Sequence, residues 1–174
     1  MASIAPLENR EAVYDINKRA DYGYIAYEEY EQLIADAVNI SPEEVREIFR
    51  KQHVRNEPLI DFVRSLRSQY KTALLSNVGH SAINKIFAPE ELEGLFDVVT
   101  LSADIGVVKP SPRIYQITAE QLGFQPEECI MIDDIERNVK GAENAGMKGL
   151  LFVSNNKLEA DLSELLEQEN ARAA

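Results

Sequence analysis

The sequence predicts a doubly wound α/β fold carrying a small all-helical cap. Three observations point there. From residue 57 onward, short apolar runs alternate with helical patterns, the order that strand–helix–strand units give in a parallel sheet. The runs TALLSN, DVVTLS, CIMID and GLLFV are continuous rather than alternating, as expected for parallel strands covered on both faces. Residues 8 to about 55, by contrast, read as helix. The expected division is a helical cap over 1–56 and an α/β core over 57–174.

Each element has a local reason. ENREAVYDINKRAD and YEEYEQLIADAV carry apolar residues at helical spacing. In the next segment Ser41 reads as an N-cap, Pro42 as the first helical residue and Glu44 as the partner that completes a capping box. A helix over 58–69 leads to TALLSN, and a helical stretch near 82–87 leads to DVVTLS. Helices over 112–122 and 136–145 precede and follow CIMID, and a last helix begins near Lys157 after GLLFV. The acidic EEYEQL reads as a solvated helix face, and the tail EQENARAA as a fraying end. Tyr22, Tyr24, Tyr27 and Tyr30 cluster in the cap. Packing between cap and core is favoured for them over a substrate-selecting wall.

Composition narrows the partners. The chain has 174 residues, 45% of them hydrophobic, enough for one core and a small second lobe. Lys and Arg number 18 against 30 Asp and Glu, a net charge of −12, so nucleic acid is not an expected partner. The apolar runs are strand-sized, well short of the roughly 20 residues a membrane span needs. MASIAPLENR does not read as a signal peptide. Cys129 is the single cysteine, and a reducing cytoplasm is the expected setting.

Three strand ends carry chemistry. LLSN ends in Ser76 and Asn77, the loop ADIGVVKPSP carries Lys109, and IMIDD ends in Asp133 and Asp134. In an open parallel sheet, ligands bind beyond the carboxyl ends of the strands, so these groups are expected on one edge. A hydroxyl and an amide can donate to phosphate oxygens, and a lysine adds a point charge for the same anion. Two adjacent carboxylates suit a hard cation such as Mg2+. Each piece alone has a duller reading, as a turn, a solvated lysine or a helix cap. Their order is far more specific than any one of them.

In that order the chain resembles the haloacid dehalogenase-like (HAD) hydrolase superfamily, in its helical-cap, phosphatase-like subgroup. LLSN is similar to the second family motif, GVVKPSPRIYQ to the third and IMIDDIERNVKGAENAGMKGLLF to the fourth. The resemblance implies Ser76 and Asn77 as phosphate contacts, Lys109 as stabiliser of charge, and Asp133 and Asp134 as Mg2+ ligands. It implies a small phosphorylated molecule as partner. The family's first motif, Asp-x-Asp, supplies the nucleophile and the acid–base residue, and it occurs nowhere in this sequence. The family's first, central strand is correspondingly expected to be missing, leaving a gap between the strands ending at Ser76 and Asp133. ASIAPL is a poor candidate to fill it, because Pro6 has no amide to donate.

Three readings follow. One is a truncated piece of an ordinary Mg2+-dependent phosphatase, inactive alone and open to homo-oligomers through strand exchange. Another is a non-catalytic Mg2+- and phosphate-binding relative. The third takes its nucleophile from another carboxylate, with Asp15 and Asp21 candidates by residue type only and expected to be solvated, or from a partner chain. A dehalogenase-type hydrolase is a further alternative. The two acids argue against it, because that chemistry needs no metal. His53 reads as a surface or capping residue, and His80, after SNVG, as a helix-start residue or a substrate contact.

Overall fold

The computed structural model describes residues 9–52, 54–79 and 81–173. Two compact units divide the chain, the first ending at Val108 and the second beginning at Lys109.

The first unit opens with α1 (Arg10–Asp21), α2 (Tyr27–Val38) and α3 (Pro42–Gln52). Their apolar stripes meet in one cluster of Val13, Ile16, Ile34, Ala35, Val45 and Phe49. Full burial of an Ile or Val side chain is worth about 1.5–3 kcal/mol, so this cluster supplies most of what holds the three helices together. Asn39 ends α2 in the left-handed conformation, with φ at 56°. Asn tolerates that position better than other non-glycine residues. The capping box at α3 forms as expected. The Ser41 N–H donates to Glu44 Oε2 at 2.9 Å, and the Glu44 N–H donates to Ser41 Oγ at 3.2 Å.

The unit continues through α4 (Glu57–Leu66), β1 (Ala73–Ser76), α5 (Pro89–Leu95), β2 (Val98–Leu101) and α6 (Ser102–Ile105). Asn56 caps α4 by accepting from the Leu59 N–H at 3.3 Å. Strands β1 and β2 pair in parallel, Ala73 opposite Val98 and Ser76 opposite Leu101. The helix expected near 82–87 is a single 3-10 turn, Ile83–Lys85. Only Ile83 of that turn is buried, too little apolar surface to extend a helix, and the real helix is α5, announced by Pro89 at its start.

The second unit comprises α7 (Pro112–Leu122), β3 (Ile130–Asp133), α8 (Glu136–Asn144), β4 (Lys148–Leu151) and α9 (Asn155–Ala173). Strands β3 and β4 are parallel, Ile130 opposite Lys148 and Asp133 opposite Leu151. Its buried apolar side chains include Ile114, Tyr115, Ala119, Val139, Ala142, Met147, Leu158 and Leu162.

The α/β class and the parallel pairing are thus as expected. The strands differ in being mostly half-buried rather than covered on both faces. Among the described residues the ladders are two parallel pairs, β1 with β2 and β3 with β4, and no ladder joins β1 to β3. A strand with one neighbour buries less of its side chains than a central one. ASIAPL, His53 and His80 lie outside the described residues. No described helix is long and apolar enough to cross a membrane.

Candidate functional site

In the second unit the fold brings together two of the residues singled out by sequence. Lys109 Nζ donates to Asp133 Oδ2 at 2.6 Å, and both side chains are more than nine-tenths buried. The other oxygen of Asp133, Oδ1, accepts from the Ile135 N–H at 2.9 Å and from Asn138 Nδ2 at 3.0 Å. Asp133 thus closes β3 and also holds the first turn of α8. Burial pushes its carboxyl up, but the Lys109 ammonium and the Ile135 N–H outweigh this and hold it below its ordinary value. The Lys109–Pro110 peptide is cis. Helix α8 passes close against this loop: a Cβ on Gly141 would stand 2.6 Å from the Pro110 carbonyl oxygen.

Asn138 was not singled out by sequence. It is 4% exposed, and its carbonyl Oδ1 has no hydrogen-bond partner. Buried Tyr115 donates to the Asn138 backbone oxygen at 2.7 Å. Burial, with the charge of Asp133, pushes the Tyr115 hydroxyl up to about 12, so it stays a donor. The readable signal was an amide at position 138, on the α8 face that also buries Ala142.

Asp134 behaves differently from Asp133. It is exposed, and it makes no ion pair among the described residues. It offers hard oxygen donors to a cation, whereas the orphaned Oδ1 of Asn138 is buried. No group of three or more His, Cys, Asp or Glu suited to a metal occurs among the described residues. This donor set fits a cation that keeps most of its waters, as Mg2+ does, and not one that needs a closed protein cage.

Ser76 and Asn77 belong to the first unit. The loop after β1 is fixed by Ser102, whose fully buried hydroxyl accepts from the Val78 N–H at 3.1 Å. Asn77 and Gly79 of this loop line a cavity of about 560 Å3 together with Asp21, Tyr27, Tyr30 and Arg46 from α1, α2 and α3. Tyr30 stacks on Phe49 with ring centroids 5.8 Å apart, and its hydroxyl donates to Asn17 Oδ1 at 2.8 Å. Tyr30 therefore packs and lines the cavity at once, whereas Tyr24 is largely exposed.

Two carboxylates here depart from expectation. Glu31, placed by sequence on a solvated acidic face, is 6% exposed and pairs with Arg46 at 3.0 Å. It faces inward because it shares a helix side with Ile34 and Ala35, which are buried in the same helix. Asp21, expected to be solvated, is half-buried, and burial pushes its carboxyl up to about 6. Its place at the end of α1, one residue past buried Ala20, carries it inward.

Comparison with known proteins points to one family. The family described as haloacid dehalogenase-like hydrolase matches residues 5–146. Phosphoglycolate phosphatase of Aquifex aeolicus is 31% identical over 118 residues, 63% of this chain and 55% of that protein. Pyrophosphatase PpaX of Bacillus cereus is 32% identical over 93 residues, 53% of this chain and 43% of that protein. Mouse acyl-CoA dehydrogenase family member 10 is 39% identical over 77 residues, 44% of this chain and 7% of that protein. The chain thus spans about half or less of the length of these relatives. A HAD family enzyme of Bacteroides thetaiotaomicron, solved with magnesium and inorganic phosphate, shares the fold at a TM-score of 0.71 and 24% identity, over 85% of this chain and 81% of that one. A HAD phosphatase of Thermococcus onnurineus aligns at a TM-score of 0.60 and 27% identity, over 85% of this chain and 69% of that one. With more than half of its residues matched, the chain belongs to the haloacid dehalogenase-like hydrolase family.

Proposed function

We propose that this chain carries the phosphate-contacting and charge-stabilising parts of a Mg2+-dependent phosphatase that acts on a small phosphate monoester in a reducing cytoplasm. The observation that carries this reading is the buried Lys109–Asp133 pair beside the open carboxylate of Asp134. Asp133 fixes the Lys109 ammonium in place, so that its charge is preorganised for a transferring phosphoryl group rather than solvated. Ser76 and Asn77 supply a hydroxyl and an amide as phosphate contacts. Asp134, with its neighbour Asp133, would hold Mg2+, which on binding neutralises phosphate charge and orients its oxygens. The three opening helices act as the cap that selects the leaving group.

The chain has no Asp-x-Asp, so the nucleophile and the acid–base residue of the family are not among its residues. Alone it is expected to bind Mg2+ and phosphate without appreciable turnover. The test is an assay of the purified chain with p-nitrophenyl phosphate and Mg2+. Baseline rates are expected. Steady Mg2+-dependent turnover that Asp134→Asn abolishes would overturn the claim of inactivity. The lack of Asp-x-Asp also favours a second reading, a non-catalytic module that binds Mg2+ and phosphate. Supplying a family-type Asp-x-Asp strand peptide in trans separates the two, because only the enzyme reading gains activity.

A further inference from the structure

We propose that the cavity of the first unit recognises an organic ammonium group, so that the ligand is a phosphate monoester bearing an amine, seated against Asp21 with Tyr27 and Tyr30 as its wall. The phosphate half of this ligand rests on the function proposed above; the amine half rests on the cavity alone.

Asp21 lines the cavity half-buried, and it makes no hydrogen bond or ion pair among the described residues. Burying a carboxylate without a partner is costly. Its position adds to that cost. Asp21 is the last residue of α1, where the negative end of the helix dipole favours cations and disfavours anions. Among the described residues no cation of the chain pairs with it, and Lys85, which also lines the cavity, stands over the Tyr27 ring instead. Arg19, in the same turn, pairs with Glu29 at 3.6 Å. The guanidinium groups that line the cavity are committed to glutamates: Arg46 to Glu31 and Glu43, Arg50 to Glu47, and Arg55 to Glu57 and Glu91. Asp21 is thus a carboxylate placed where the fold disfavours it and left for an incoming cation.

The wall suits the same guest. Tyrosine faces attract cations, and the Tyr27 ring already has the Lys85 ammonium 5.3 Å from its centroid. An anionic leaving group would meet Asp21 and Glu31, and a neutral polyol would leave the Asp21 charge uncompensated. Asn77 lines the same cavity, so one ligand can place phosphate at the end of β1 and an amine at Asp21. A volume of about 560 Å3 accommodates an aminoalkyl phosphate or an amino-sugar phosphate, within the usual range of small-molecule sites.

The experiment is ligand-observed NMR and calorimetric titration of the full chain with phosphoethanolamine, its hydroxyl counterpart 2-hydroxyethyl phosphate, ethanolamine, and inorganic phosphate with Mg2+. Phosphoethanolamine is expected to bind about tenfold more tightly than 2-hydroxyethyl phosphate, the scale of a charge-assisted hydrogen bond. Asp21→Asn, checked for unchanged or raised Tm, is expected to erase that preference and leave 2-hydroxyethyl phosphate unaffected. Equal affinities in the unaltered chain, or a preference that survives Asp21→Asn, overturn the proposal. Should inorganic phosphate and both esters fail to bind, the phosphatase reading falls, and ethanolamine decides the amine site by itself: Asp21-dependent binding supports it and no binding overturns it.

Discussion

The Lys109–Asp133 contact places two opposite charges where neither can be rehydrated without opening the loop between α6 and α7. Such a pair adds little net stability over an apolar one, but breaking it strands a buried charge. Lys109→Ala is therefore expected to destabilise the protein by about 2–4 kcal/mol in urea unfolding, and Lys109→Met with Asp133→Asn by less, because the amide oxygen still accepts from the Ile135 N–H and Asn138. Asp21 behaves in the opposite sense. Its folded pKa of about 6 lies above the ordinary carboxyl value of 3.8, so the folded state binds the proton more tightly. The stability this gives is complete below the unfolded pKa and is lost as pH rises through the folded one. Asp21→Asn should raise stability at pH 7.5 by about 1–2 kcal/mol after solvent screening, and the gain should vanish near pH 4. Thermal unfolding of both proteins across that range checks it. Lys109, Asp133 and Asp134 were legible as single letters at strand ends. Asp21, Glu31 and Asn138 were not, because their significance comes from which way a helix turns them, and a charge on a helix is usually solvated.

At the level of elements, two helical glycines give opposite predictions. In α8 a Cβ at Gly141 would meet Pro110 at 2.6 Å and 2.7 Å, both atoms belonging to a backbone-constrained residue that cannot swing away. Gly141→Ala is expected to cost about 1–3 kcal/mol through overpacking and to disturb Lys109 next door. In α5 nothing lies within 4 Å of the corresponding position at Gly94. Gly94→Ala should stabilise by about 0.5–1 kcal/mol, the ordinary helix gain. Denaturant midpoints of the two variants decide both. Element by element, the helices with strong signals were readable. The span of α2 and the Ser41–Glu44 capping box were fixed by periodicity and by side chains that name their own role. The weak places were short. Neither α6, of four residues, nor the 3-10 turn Ile83–Lys85 buries enough to announce itself, and their shapes follow from neighbours rather than from local preference.

For the molecule as a whole, the fold class was legible from the alternation of strand and helix, because a parallel strand must be followed by a crossover. The pairing of the strands was not, since no local pattern says which edges meet. The net charge of −12 gives a further expectation. A bound divalent cation relieves self-repulsion as well as filling its site, so Mg2+ should raise Tm, and Mg2+ with inorganic phosphate should raise it more. At a hundredfold excess over Kd the gain is about 2.7 kcal/mol. Asp134→Asn should abolish the Mg2+ part while leaving the ligand-free Tm nearly unchanged, because that carboxylate makes no ion pair among the described residues. The boundary between Val108 and Lys109 has a consequence of another kind. Both members of the ion pair, the amide that steadies it and the proline beside it lie after that boundary. A recombination event joining a different first half at this junction would inherit the electrostatic centre whole, while exchanging Asp21, Tyr27 and Tyr30 for a new set. The ion pair and the residues of the cavity are thus written on separable stretches of one gene, and on the proposed reading selection can revise the cavity without rebuilding the pair, provided Ser76 and Asn77 are kept.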